Sequence, residues 1–457
     1  MFEGKLKLLK DRTFIRNFLA IAVPIIIQNF FSTCLNFVDG LMIGGIGSAS
    51  AIAAVSLANK VFFLYSLVSF GLISGAGIFF AQYHGKRDYE RFKRTMGITL
   101  ILVTVVSLIF SIPAFFYPEN IIRFFSSDPA VIEQGAQYLI YVAPSYLLTG
   151  ISFTLVFALR AINRTSQPMA VSITAVITNV ILNYIFIYGK LGSTAMGVKG
   201  AALGTVIARL LEFILIIYFV FRKSSPISAD FKELFHFRWE HVKHYLKIST
   251  PVILSESLWA IGIIGYTYAY AKLGTAAVAS TEIGASVSDI FFVLAFGICH
   301  GGSIMVGNSL GAGDLEKAES YGFVFVVTAL IMGIFTGLLL FALSPGILGL
   351  YKVDAVTKAD ASAILKINVF LMPIRFLNLL FLVGIFRGGG DTGFSLATEI
   401  IGLWVVGIPL TFILALVFHM PIEIVYMAHF IEELIKTIMC IPRYKKGKWL
   451  KRIIENE

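Results

Sequence analysis

The chain has 457 residues, 57% of them hydrophobic and only 14% charged, against roughly 25% charge in an ordinary soluble domain. That balance excludes a soluble globular protein and points to an integral membrane protein, with about twelve apolar runs long enough to cross a hydrocarbon core of roughly 30 Å. The net charge of +10 does not signal nucleic-acid binding, because the basic residues gather between alternate runs and form no continuous stripe.

Lys5, Lys7, Lys10, Arg12 and Arg16 precede the first predicted span, 17–46. This stretch is longer than the roughly 7–15-residue core of a signal peptide and reads as a retained helix. Spans follow at 51–82, 95–116, 130–160, 168–188 and 198–221. Lys86, Arg87, Arg91, Lys93 and Arg94 come after the second, and Arg160 and Arg164 after the fourth. A polar linker from Arg222 to Lys247 separates these six from a second set at 248–272, 276–308, 320–343, 360–386, 394–418 and 420–441. Alternate connections such as Gly44 to Ser50 carry no basic residue. This is the positive-inside pattern of a multi-pass cell-membrane protein with both termini cytoplasmic. The expected organisation is a bundle at 1–222, a cytoplasmic loop at 223–247, a bundle at 248–441 and a basic tail at 442–457. Within the tail, Lys448 to Ile454 is a short basic amphipathic stretch, expected to lie on the anionic inner leaflet.

The two sets are copies. Gly75-Ala76-Gly77-Ile78 and Gly85 return as Gly301-Gly302-Ser303-Ile304 and Gly311 (311 − 85 = 226), Pro24 returns as Pro251 and Arg160 as Arg387 (387 − 160 = 227). An even number of spans per copy keeps both in the same orientation, so the fold expected is all-α, twelve transmembrane helices in two six-helix bundles related by a pseudo-twofold axis along the membrane normal. Such a duplication points to a transporter with its binding site between similar halves. Pro24, Pro251, Pro373 and Pro409 fall in or near spans, where neighbouring helices satisfy the freed backbone groups.

An ionisable side chain near the bilayer centre costs roughly 2.5–3.5 kcal/mol, so each needs a partner or a task. Asp39 in the first span and Lys60 in the second lie about 12 and 20 Å from the outer loop at 1.5 Å per residue, and are expected to pair if their helices face each other. Glu256, Arg375 and Glu399 fall at about the same depth, 12–18 Å from the opposite face, and are expected to meet. Asp289 is near mid-depth and Glu282 nearer the outside. One arginine against two or three acids leaves surplus negative charge, which binds a proton or a small cation. Glu433 and Lys436 read as a local helix-face pair. The repeat aligns Glu256 with Asn29 and Asp39 with Tyr266, so each half has an acid where the other is neutral. Asn29, Phe30, Phe31, Phe37, Tyr146, Trp259 and Tyr266 are candidate linings of an aromatic cavity for flat cations.

Cys34, Cys299 and Cys440 are too scattered for disulfides or a metal site. Of the seven histidines, His236, His241 and His244 sit in the linker and His300 stands alone. No nucleophile or metal constellation emerges, so an enzyme is not expected.

With Pro24 ahead of Asp39, Met196-Gly197-Val198-Lys199-Gly200-Ala201-Ala202 at the sixth span, Arg387-Gly388-Gly389-Gly390-Asp391-Thr392, and Gly447-Lys448-Trp449-Leu450, the chain resembles the multidrug and toxic compound extrusion (MATE) family over nearly its full length. The resemblance implies two bundles forming a V that opens alternately to each side, exporting amphipathic organic cations in exchange for Na⁺ or H⁺. It implies no cofactor, a monomer in membrane lipid, and no metal beyond Na⁺ at Asp39 or Glu256. The family's N-terminal cation site falls on Asp39, Asn179, Asn183 and Thr205, with Asn183 where a second acid is usual and with Lys60 adding a positive charge. Both departures weaken a Na⁺ site in that half, so coupling is expected through Asp39 and the Glu256 cluster jointly, with Glu399 and Asp289 as further acids and Lys60 and Arg375 as charge partners. The alternative within the same superfamily is a lipid-linked precursor flippase, which would resemble a fourteen-span bundle with a strongly cationic cavity.

Overall fold

A computed structural model describes residues 11–351 and 353–456. Lys5, Lys7 and Lys10 lie outside the described residues. Among the described residues every regular element is helical. Ten helices are long and apolar enough to cross a membrane, and a bent pair makes an eleventh span. They are α1 (Arg12–Gly44), α2 (Ala49–Lys86), α3 (Tyr89–Phe116), α4 (Pro129–Val142 and Ser145–Ala161, bent by 48°), α5 (Ser166–Tyr188), α6 (Val198–Phe221), α7 (Trp239–Leu273), α8 (Thr275–Gly311), α9 (Leu315–Gly349), α10 (Ala355–Phe386) and α11 (Thr392–Val417). The twelfth, α12 (Ile422–Lys445), has 24 residues but carries Glu423, Glu432, Glu433 and Lys436, so length qualifies it and composition does not. The twelve-helix architecture expected from the sequence is present.

The expected elements differ from the observed ones in three places. A short helix, Pro118–Phe125, lies between α3 and α4. The bend in α4 falls at Ala143-Pro144, where Pro144 supplies no backbone N–H to continue the ladder. The linker is partly helical: Phe231–Phe235 is capped by Asp230 and Glu233 in a reciprocal capping box, Lys93 Nζ sits 3.1 Å from Glu233 Oε2, and α7 begins at Trp239, before the expected 248. Hydrogen bonds from the Asp230 backbone and from Lys93 hold the Glu233 carboxyl below its usual range. Aspartate caps recur with the repeat. Asp88 and Asp314 accept from the Arg91 and Lys317 amides, and Asp128 and Asp354 from those of Ala130 and Thr357.

Contacts divide the chain into two compact units. One comprises residues up to Ile26, Gly85–Arg87 and Lys247–Glu457. In it Phe14, Ile21 and Ile25 pack into a core with Ile298, Phe325, Phe376 and Leu380. The other comprises Ile27–His84 and Asp88–Leu246, with a core around Tyr65, Leu139 and Tyr146. There the Tyr245 hydroxyl donates to the Leu72 carbonyl at 2.7 Å. The cut falls inside α1 and near the start of α7, so each long helix contributes its first turns to one unit and its remainder to the other.

The tail departs from expectation. Trp449 is fully buried, stacks on Tyr444 with centroids 5.7 Å apart, and packs against Gly322. Ile453 and Ile454 are buried too. Lys451 and Arg443 both pair with Asp391, at 2.6 and 2.7 Å, and the Lys451 amide donates to the Gly389 carbonyl. Apolar side chains that were expected to enter lipid instead fill the protein's own core, and the glycine turn 388–390 lets the tail approach the backbone closely.

Candidate ion-binding site

In the unit containing residues 27–84 and 88–246, helices α1, α5 and α6 bring together the four positions singled out from the sequence. Asn183 Nδ2 donates to Asp39 Oδ1 at 2.8 Å and to Asn179 Oδ1 at 2.9 Å. Asn179 Nδ2 donates to Thr205 Oγ1 at 3.3 Å, and the Thr205 hydroxyl donates to the Ala201 carbonyl at 2.9 Å. Asn179 and Asn183 are one helical turn apart, so they share a face of α5. Both are buried, while Asp39 is half-buried. Gly204 on α6 admits this packing, because a Cβ there would overlap Asn183 Oδ1. With its Nδ2 committed to two oxygens, the Asn183 amide is fixed in orientation. Its Oδ1 is buried without a hydrogen-bond donor. A carboxylate oxygen, two amide oxygens and a hydroxyl therefore cluster with few protons to share, which is the donor chemistry of a hard cation.

Lys60 is not part of this cluster. It lies exposed, 6.0 Å from the Phe125 ring centroid, and the expected Asp39–Lys60 pair does not form, since Asp39 faces α5. The same unit holds a second buried network that the sequence reading missed. Arg160 Nη2 donates to Gln28 Oε1 at 2.6 Å, Gln28 Nε2 to Ser172 Oγ at 2.7 Å, and Ser172 Oγ to Glu212 Oε1 at 3.5 Å. Glu212 pairs with Arg209 at 2.7 Å. The i, i+3 spacing of Arg209 and Glu212 inside an apolar run was the available signal.

In the unit containing 247–457, the expected meeting of Glu256, Arg375 and Glu399 does not occur. Glu256 pairs with Arg387 at 2.6 Å. Arg375 lies 3.9 Å from Asp289 and 4.2 Å above the Phe292 ring. Glu399 accepts from Lys436 at 3.0 Å. Equal depth does not specify azimuth, and the three residues leave their helices in different directions. Lys436 pairs with Glu432 at 2.6 Å, one turn away on α12, and not with Glu433, which accepts from Asn378 at 2.7 Å.

Two of the aromatic candidates are internal. Tyr146 is fully buried and stacked on Tyr65 at 5.1 Å, and Tyr266 is buried with its hydroxyl donated to Glu432. Neither presents a ring to a substrate. Phe30, Phe37 and Trp259 are exposed and Asn29 is half-buried. Asn29, Phe30 and Phe37 belong to the unit of 27–246 and Trp259 to the unit of 247–457.

Comparison with known proteins gives the arrangement a context. The family model described as MatE matches residues 24–185 and again 251–413, one match per repeat. An uncharacterized transporter, YisQ of Bacillus subtilis, is 23% identical over 444 residues, covering 97% of this chain and 96% of its own. The multidrug resistance protein NorM of Photobacterium profundum is 27% identical over 412 residues, 88% of each chain. Among solved structures, an outward-facing multidrug resistance MATE family transporter of the MOP superfamily superposes with a TM-score of 0.86 at 20% identity, covering 95% of this chain and 96% of that one.

Proposed function

The chain belongs to the MATE family of membrane transporters, and from that premise we propose that it is a secondary antiporter exporting amphipathic organic cations in exchange for H⁺ or Na⁺ by alternating access. The relatives named for multidrug resistance support drug-like substrates. The positive-inside pattern supports cytoplasmic termini. The coupling site is Asp39 with Asn179, Asn183 and Thr205. The observation carrying this assignment is the Asn183 Oδ1, buried without a donor beside an Asp39 that receives a hydrogen bond from Asn183 Nδ2. A buried acceptor left unsatisfied costs about 1–3 kcal/mol, and a bound cation removes that cost. Phe30, Phe37, Asn29 and Trp259 are the proposed substrate contacts. In membrane lipid the monomer is the proposed working unit, with no cofactor.

The test is ethidium efflux from proteoliposomes with Na⁺ and pH gradients imposed separately. Wild type accelerates in response to one of them, and Asp39→Asn loses that acceleration by about tenfold or more, the equivalent of one charge-assisted contact. Efflux indifferent to both gradients, or an Asp39→Asn variant that responds like wild type, overturns the assignment.

A further inference from the structure

The 247–457 unit contains a second buried cluster, drawn from repeat positions of both polar networks of the other unit. Tyr266 corresponds to Asp39, Glu432 to Thr205, Lys436 to Arg209 and Glu399 to Ser172 (266 − 39, 432 − 205, 436 − 209 and 399 − 172 each equal 227). The carboxylate has thus moved from the first helix of the repeat to the last. Glu432 Oε1 lies 2.6 Å from Lys436 Nζ. Its Oε2 accepts from the Tyr266 hydroxyl and lies 3.1 Å from His429 Nδ1. Glu432, Lys436 and Glu399 are only 1%, 3% and 6% exposed, while the His429 side chain retains 23%.

The backbone makes room for this cluster. Residues Ile400–Gly407 of α11 form a π-helical segment, a distortion frequent at functional sites. Cβ atoms at Gly402 and Gly407 would overlap the Lys436 stem and the Tyr266 hydroxyl.

Charge counting identifies what the cluster lacks. Glu399 and Glu432 against Lys436 leave one negative charge in surplus where almost no water reaches, and Glu433 adds to the field. Facing it are Tyr266 and Tyr270 from α7, Glu399 from α11, and Tyr426, Glu433 and Lys436 from α12 itself. From α10 comes the neutral Asn378, which donates to Glu433, while Arg375 is engaged with Asp289. The imidazole that faces the Glu432 carboxylate is His429, 3.1 Å away. Its Nδ1 faces a carboxylate, so the neutral ring carries its proton there, and Nε2 is left to accept another.

We propose that His429, backed by Glu432, is a proton-binding site of the C-terminal half that loads and unloads during transport. A hydronium ion transfers its proton to Nε2, its O–H bond breaking as the N–H bond forms and water leaving; the imidazolium neutralises the surplus carboxylate, and transfer of the same proton back to water releases it. The donor atoms of His429, Glu432 and Glu433 lie within 4.8 Å of one another, but both Glu432 oxygens are already engaged, which favours a proton over a metal ion. This inference rests on the antiport reading and adds a second ionic site to it.

The experiment measures ethidium binding and efflux by the reconstituted full chain between about pH 5 and 8. Wild-type affinity changes with pH by up to about tenfold per unit for each exchanged proton. His429→Gln makes this profile shallower by one proton, and His429→Arg, permanently charged, does the same, leaving only what the Asp39 site contributes. Glu432→Gln, which removes the surplus charge, makes it shallower as well and provides a reading should a His429 variant fail to fold. A wild-type pH profile in His429→Gln overturns the proposal. If Asp39→Asn has meanwhile lost gradient-driven efflux, the antiport reading stands without this site; wild-type efflux indifferent to both gradients defeats that reading instead.

Discussion

Arg160 and Arg387 occupy equivalent repeat positions, both buried and both met at 2.6 Å, the first by the amide oxygen of Gln28 and the second by the carboxylate of Glu256. The first pair shows that a neutral acceptor suffices for an arginine in this setting. Glu256→Gln is therefore expected to keep transport and lose no more than about 1 kcal/mol of stability. Glu256→Ala, which removes the acceptor 2.6 Å from Arg387, is expected to lose about 3 kcal/mol. Thermal unfolding of the purified variants in detergent, with efflux measured in parallel, checks both. Equal loss in the two variants would mean that the charge itself is needed. Legibility divides along similar lines. Asp39, Asn179, Asn183 and Thr205 were readable because they occupy positions of a known pattern on three helices, and the fold brings them together. The pairing of Glu256, Arg375 and Glu399 was not readable, because depth along a helix fixes one coordinate and leaves the rotation about its axis open. Glu432 was overlooked for a related reason: beside Glu433 and Lys436 it looks like one more charge on a solvated helix face, and its burial comes from Gly402 and Gly407 on another helix.

The helices follow the hydrophobic runs closely, and the exceptions lie where a segment finds a partner far away in sequence. The tail is the clearest case. Its alternation of basic and apolar residues fits a membrane surface, yet Trp449 fills a space between Gly322 and Tyr444 and Lys451 answers the buried Asp391. Composition alone cannot separate lipid from a protein groove when the groove is built from other elements. Trp449→Ala is expected to cost about 3 kcal/mol, as for a large aromatic lost from a core, and to lower the unfolding temperature of the purified protein. A variant as stable as wild type would return the tail to the membrane surface. The linker shows the same effect on a smaller scale, since Phe231–Phe235 is helical with Glu233 held by Lys93.

At the scale of the whole molecule the repeat was legible from its first matching glycines. Phe18 corresponds to Tyr245 (245 − 18 = 227). Phe18 packs on Phe325 in the unit of 247–457, and Tyr245 on Phe79 in the unit of 27–246. A fragment starting at Trp239 is expected to aggregate, because the surface that receives Phe14, Phe18 and Ile21 is left bare and apolar. Adding a segment spanning 11–26 is expected to restore a monodisperse species by gel filtration, and a fragment that behaves well without it would refute this. The exchange of leading turns also bears on how such a chain can change over time. Two copies of a gene that each lend their opening turns to the other's fold are no longer separable by recombination, truncation or proteolysis. New sequence can enter at the linker, but neither half can be lost, replaced or inherited alone.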